Sequence, residues 1–208
     1  MKKNLITCAI LCVPFAAVAA SETELEPIIV QSAYAVPVKA TQTASSVTVL
    51  TEKDFAQRNA TYVSDVLKTV PGVSMISYGG RGALTNFSIR GSEANHTAVI
   101  IDGVKVNPTT GYGYDFGGLS LSNIERIEVL RGEQSALWGS DAMGGVIYIT
   151  TKSGLYKDKP FNLDFDFGTG SHRTRDASIT VSGRNGGFYY SVHGDSHRTR
   201  GISAISSN

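Results

Sequence analysis

"GSDAMGGVIYITTKSG", residues 139–154, begins like a nucleotide site and ends like a buried strand. Four residues lie between Gly139 and Gly144, the glycine spacing of a phosphate-binding P-loop. That motif next requires Lys and then Ser or Thr, which reach the phosphates and a magnesium ion. Gly145 and Val146 stand there instead. The order of elements is also reversed. A P-loop follows a strand and opens a helix, whereas this loop feeds the apolar, β-branched run "VIYITT". The stretch reads as a tight glycine turn entering a strand, with Gly at positions that need positive φ or close backbone approach.

Outward from this turn, residues 46–154 read as a small mixed α/β unit. "SVTVL" is a strand, and "TEKDFAQR" opens a short helix through a capping box of Thr51 and Asp54. Val63, Val66, Leu67 and Val70 repeat at helical spacing behind Thr61 as N-cap, and Pro71-Gly72 stops that helix. Strands are predicted at 73–77, 86–90, 97–102 and through "NIERIEVLRG". Asp102-Gly103 makes a hairpin turn into "VKV", and a glycine-rich loop, "GYGYDFGG", follows.

The flanks differ in kind. "MKKNLITCAILCVPFAAVAA" places Lys2 and Lys3 before an apolar stretch and ends in small residues, a secretory signal peptide over 1–20 cleaved after Ala19 or Ala20. Leu5 to Ala20 is 16 residues, short of the about 20 that span a bilayer. Cys8 and Cys12 both lie in it, so the exported chain has no thiol chemistry. Its removal takes the formal net charge from +1 to −1, with no charge run suited to nucleic acid. Residues 21–45 are polar apart from one apolar island, "PIIVQ", and read as a mobile extended tail.

Beyond residue 155 the pattern changes to strict alternation. Leu163, Phe165 and Phe167 oppose Asn162, Asp164 and Asp166; Ala177, Ile179 and Val181 oppose Ser178, Thr180 and Ser182. "FYYSVHGDSHR" continues it after Asn185-Gly186-Gly187. Aromatic-led runs of this length with one apolar face suit transmembrane β-barrel hairpins. An ordinary antiparallel sheet with one wet face shares the pattern. Two or three strands cannot close a barrel, so further strands are expected elsewhere.

Export signal, tail with an apolar island, compact unit and amphipathic strands follow one another in a known order. "EPIIVQSA", "VSDVLKTVPGV", "SIRG", "VIIDGVKVN" and "IERIEVLRGEQSALWGSDAMGGVIYITTKSG" together resemble the N-terminal part of TonB-dependent outer-membrane receptors. Within that family "GGRGALTNFSIRGSEANHTAVIIDGVKVN" is most similar to cobalamin (vitamin B12) receptors. The resemblance implies an α+β plug domain, a small mixed sheet with short helices, followed by the first antiparallel strands of a transmembrane β-barrel. It implies a signal peptide over 1–20, a flexible tail over 21–45, the plug over 46–154 and barrel strands over 155–208. The family's barrel has about 22 strands, so this chain is read as its N-terminal part, with most ligand loops and any calcium sites lying after Asn208.

By the same resemblance, Glu26, Pro27, Ile28, Ile29, Val30, Gln31, Ser32 and Ala33 form a TonB box that docks the energy transducer TonB by strand addition. Leu84, Asn86, Glu93, Gly111 and Tyr112 fall at substrate-contacting positions for cobalamin or another large chelate, a ferric siderophore or haem being the alternative. Arg90 and Arg131 stand at Arg-Gly positions that lock plug to barrel; with wall carboxylates absent, solvation or pairing with Glu128 or Glu125 is expected. The implied partners are TonB, cobalamin or a similar ligand, and outer-membrane lipid, with the tail and plug reachable from the periplasm. Glu133 for Pro, Gln31 for Thr and Pro27 near the start of the box depart from the family pattern.

Enzymatic readings are weak. Asp164 and Asp166 are about 7 Å apart on one strand face, in an open polar stripe rather than a cleft. His193 and His197 are about 13 Å apart along a strand, too far to share a metal. No catalytic residues, cofactor or metal site are expected. A non-transporting periplasmic module that binds TonB is the competing reading of another class.

Overall fold

The computed structural model describes residues 29–30, 38–39, 42, 45–80, 82–152 and 159–201. The export signal and the box positions Glu26, Pro27, Ile28, Gln31, Ser32 and Ala33 lie outside the described residues.

Two short strands in the tail, β1 (Ile29–Val30) and β2 (Val38–Lys39), pair antiparallel. β3 (Ser46–Thr51) leads into α1 (Glu52–Gln57) and α2 (Val63–Leu67). β4 (Val73–Ser77) and β5 (Thr85–Ile89) form a separate hairpin. β6 (Thr97–Ile101), β7 (Val104–Lys105), β8 (Ile124–Arg131) and β9 (Gly145–Thr151) join β3 in a five-stranded sheet, with α3 (Ser135–Trp138) between β8 and β9. Its order is β3-β8-β9-β6-β7, antiparallel except for the parallel pair β6–β9.

The central strands alternate between two apolar clusters, as a strand of period two must when both faces are covered. Val99, Val129, Ile147 and Ile149 face a cluster closed by Phe55, Val63, Val66 and Leu67 of the two helices and by Phe87 and Phe116. Ala98, Ile100, Leu130, Val146 and Tyr148 face the other, which Trp138, Ala142 and Val30 complete. This is why "VIYITT" reads as a continuous apolar run rather than an alternating one.

The helix entries follow local chemistry. Asp54 accepts from the backbone N–H and hydroxyl of Thr51 at 2.8 and 2.9 Å, as the capping box requires. Backbone donation from Thr51, with smaller help from the Arg58 ion pair, holds the Asp54 carboxyl below the usual carboxylate range. For α2 the expectation needs correction: the N-cap is Tyr62, not Thr61, and the helix ends at Leu67 rather than Val70. Tyr62 is held by a β-bridge to Ser120, and Asp65 accepts from the N–H groups of both Tyr62 and Thr61. A tertiary pairing therefore moves the start by one residue.

One further expectation is revised. The tail read as mobile carries competing structure, because Val30 is fully buried against the sheet. The glycines of the opening stretch meet the close approach expected of them. A Cβ on Gly144 would stand 2.2 Å from Ser92 Oγ, and one on Gly145 2.4 Å from the Leu130 carbonyl.

β10 (Asn162–Gly170), β11 (Thr174–Asn185) and β12 (Phe188–Arg198) form an antiparallel three-stranded sheet. Phe165, Phe167, Phe188 and Val192 are each at least 68% exposed, so one face is an unpartnered apolar surface. The opposite face meets the plug: His193 Nε2 lies 3.2 Å from Ser122 Oγ, and the His197 ring packs edge-on to Tyr62. Among the described residues no helix is long and apolar enough to cross a membrane.

Candidate functional site

Three loops at one end of the plug carry the residues expected to meet ligand, and specific polar groups draw them together. The β4–β5 turn and the glycine-rich loop after β7 are tied through Asp115. Its Oδ1 accepts from the N–H groups of Thr85 and Gly117, both at 2.9 Å. Phe116 donates its N–H to the Thr85 carbonyl at 2.8 Å and seats its ring in the core. Asn107 fixes the start of the loop, accepting from Val99 N–H at 2.7 Å and donating to the Thr97 carbonyl at 2.9 Å.

Glycine permits the close approach. A Cβ on Gly117 would stand 2.1 Å from the Ala83 carbonyl oxygen, and one on Gly113 2.8 Å from that of Ala94. The first two loops are thereby held to the third.

The expected contact residues divide into two kinds. Leu84 is 43% and Tyr112 75% exposed, and Glu93 and Gly111 are exposed as well. Asn86 is only 8% exposed, and its Nδ2 donates to the Tyr114 carbonyl at 3.0 Å. Its amide supports the third loop from beneath. Gly111 and Tyr112 also border a cleft of about 540 Å³ that extends to His96, Lys105, Asp141 and Met143. Its walls mix apolar surface with amide, imidazole and charged groups, as suits a polar ligand oriented by hydrogen bonds. Burial, reinforced by Asp115, pushes the Tyr114 phenol up.

Lys105 and Asp141 close one wall of the cleft through an ion pair at 2.7 Å. Hydrogen bonding from Lys105 holds the Asp141 carboxyl below its ordinary value of 3.8. A depressed folded value contributes stability above the unfolded pKa and loses it as pH falls through the folded one. The thermal midpoint of Asp141→Asn is therefore expected to lie below that of the parent at neutral pH, and the gap to narrow as pH falls below 3.8. A gap that persists in acid contradicts the assignment.

Arg131 is half-buried and held by neutral oxygens: the Pro71 carbonyl at 2.8 Å, Ser46 Oγ at 2.7 Å and Thr48 Oγ1 at 3.0 Å. Arg90, exposed and at φ 53°, lies across Gly72 from it. Glu128, fully buried, is ion-paired with Arg126 at 3.1 Å. Where solvation or pairing with Glu128 or Glu125 was expected, Arg131 is thus held by hydroxyl and carbonyl oxygens.

Asp115 and Asn107 were not singled out by sequence reasoning. Their signal was present, as Asp and Asn beside Gly and Pro commonly bond the backbone of turns. Among the described residues no cluster of His, Asp or Glu is arranged to hold a metal.

Residues 39–146 match the family model of the TonB-dependent receptor plug domain. The vitamin B12 transporter BtuB of Vibrio vulnificus strain YJ016 is 38% identical over 153 residues, covering 73% of this chain and 25% of that protein. Its counterpart in strain CMCP6 is 34% identical over 192 residues, covering 90% and 31%. The chain thus spans between a quarter and a third of these relatives. The solved structure of BauA, the ferric preacinetobactin receptor from Acinetobacter baumannii, superposes at a TM-score of 0.63 over 81% of this chain and 25% of that one. At 22% identity that likeness speaks to fold alone.

Proposed function

The chain belongs to the TonB-dependent receptor plug-domain family, and from that premise we propose that it serves active uptake of cobalamin across the outer membrane. The observation that carries the substrate is the identity of 34–38% to B12 transporters, over 192 and 153 residues respectively. The close approach of the three loops supports it, with Leu84, Glu93, Gly111 and Tyr112 exposed on them and Asn86 bonded to the Tyr114 carbonyl.

Energy enters through the tail. Glu26 to Ala33 is the segment that pairs with TonB, by backbone hydrogen bonds along an extended strand. Because Val30 is buried against the plug, docking requires this segment to leave its pairing with β2. Arg90 and Arg131 anchor the plug within the barrel that β10–β12 begin.

The substrate is tested by growth. A strain lacking its own B12 receptor, complemented with the complete gene, is expected to grow on nanomolar cobalamin. Growth only when a ferric siderophore or haem is the iron source would reassign the substrate and leave the transporter reading in place. A protein that supports neither, yet binds TonB, would be the non-transporting module.

A further inference from the structure

The three-stranded sheet carries a cluster of arginines at one end of its apolar face. "SHRTR" occurs twice, at 171–175 and 196–200. The fold brings the two copies together: Thr174 and Thr199 hydroxyls lie 2.9 Å apart, and Arg200 N–H donates to the His172 carbonyl. Arg175 and Arg198 are direct cross-strand partners. The register puts them on the face of Phe167, Ala177 and Ile179, not on that of Asp176 and His197. Arg173 and Arg200 are exposed at the same end.

Like charges directly opposite on a sheet repel unless something lies between them. Neither Arg175 nor Arg198 forms an ion pair among the described residues. The nearby acids are engaged on the other face, Asp176 with His197 and Asp195 with His193. Between the two arginines is a depression of about 210 Å³ lined also by Phe167, Asp176, Ala177 and Ser196.

We propose that Arg175 and Arg198, with Arg173 and Arg200, bind the phosphates of an anionic lipid headgroup. This rests on the reading of β10–β12 as barrel-wall strands. The occupant follows from height and charge. The apolar face runs from the level of Phe188 to that of Phe167 and is centred near Val181. Arg175 lies six residues further, about 20 Å along the strand, or roughly 15 Å along the membrane normal at the usual tilt. Half of an apolar band of about 25 Å is less than that, so the guanidinium groups reach the headgroup layer. Arginine forks match phosphate oxygens in bidentate pairs, and one anion between the two relieves their repulsion.

Native mass spectrometry of the 208-residue chain in dodecyl maltoside micelles tests the site, using bisphosphorylated lipid A and the same lipid stripped of phosphate. Tighter binding of the phosphorylated form is expected. Arg175→Gln/Arg198→Gln should weaken it roughly 30-fold, while Arg175→Lys/Arg198→Lys keeps part of it. Lys53→Gln/Lys68→Gln, on the plug helices, should leave it unchanged. Equal binding of both lipids overturns the arginine site but leaves the wall strands intact; binding of neither overturns both. Equal loss in the plug-helix variant would show a bulk charge effect and overturn the site. Full displacement by inorganic phosphate would overturn the assignment to lipid.

Discussion

Truncating Phe116 to alanine is expected to lower the stability of the plug by about 3–5 kcal/mol. The ring is 1% exposed and stacks edge-on to Phe87 at 5.2 Å and to Tyr114 at 4.8 Å. Its removal leaves a cavity where the helices, the β4–β5 hairpin and the apical loop meet. For a domain near 100 residues, 3 kcal/mol lowers the melting temperature by at least about 12 °C. The effect reaches function, because the Phe116 N–H is one tie between the third loop and β5. Hydrogen exchange at Thr85 and Gly117 should accelerate with it, since both amides depend on Asp115 one residue away. Denaturant unfolding followed by circular dichroism measures the first effect. A loss below about 0.5 kcal/mol, the range of surface substitutions, would remove Phe116 from its place as the anchor.

The second large effect concerns the tail. Ile29→Pro is expected to abolish TonB binding by a peptide of residues 26–33 while leaving the plug folded. Proline removes a backbone donor and fixes φ, and strand addition depends on an unbroken row of donors and acceptors. The folded chain adds a quantitative expectation. β1 already pairs with β2, and Val30 is fully buried in the cluster that contains Leu130 and Val146. Burying a valine stabilises by about 1.5–3 kcal/mol, and each 1.4 kcal/mol is tenfold in affinity. The free peptide should therefore bind TonB at least tenfold more tightly than the intact chain without ligand. Calorimetry on the two would read this directly. Equal affinities would mean that the docked position of Val30 does not restrain the box, and undiminished binding of the proline peptide would end the strand-addition mechanism.

Much of the architecture was legible without coordinates, for a common reason. The strands through "VIYITT", "NIERIEVLRG" and residues 162–198, and the helix behind Thr51, are specified by neighbours two to four positions away, where periodicity and capping operate. The Asp102-Gly103 turn is local in the same sense, with Asp102 at φ 48° and Gly103 at 86°. The loops on which ligand contacts are proposed were legible in position, because the strand runs at 73–77, 86–90 and 97–102 border them.

What could not be read was set by contacts between distant positions. The Asp115 carboxylate reaches a backbone amide 30 residues away, and the Arg131 guanidinium reaches hydroxyls more than 80 away. Neither leaves a periodic trace. The same holds for Val30, whose burial converts a tail that looks free into one docked on the sheet, and for Tyr62, where a bridge to Ser120 moves a helix start. The sequence by itself determined the class of most elements outside the tail and α3, and which faces are apolar, since alternation and helical spacing follow from backbone geometry alone. Only the tertiary structure decided what those faces meet: that Gly144 and Gly145 yield to Ser92 and Leu130 within the plug, that Asn86 braces a loop from below, and that two copies of "SHRTR" share one edge. Those outcomes depend on which surfaces exclude water together, and that is settled only when the whole chain has closed on itself.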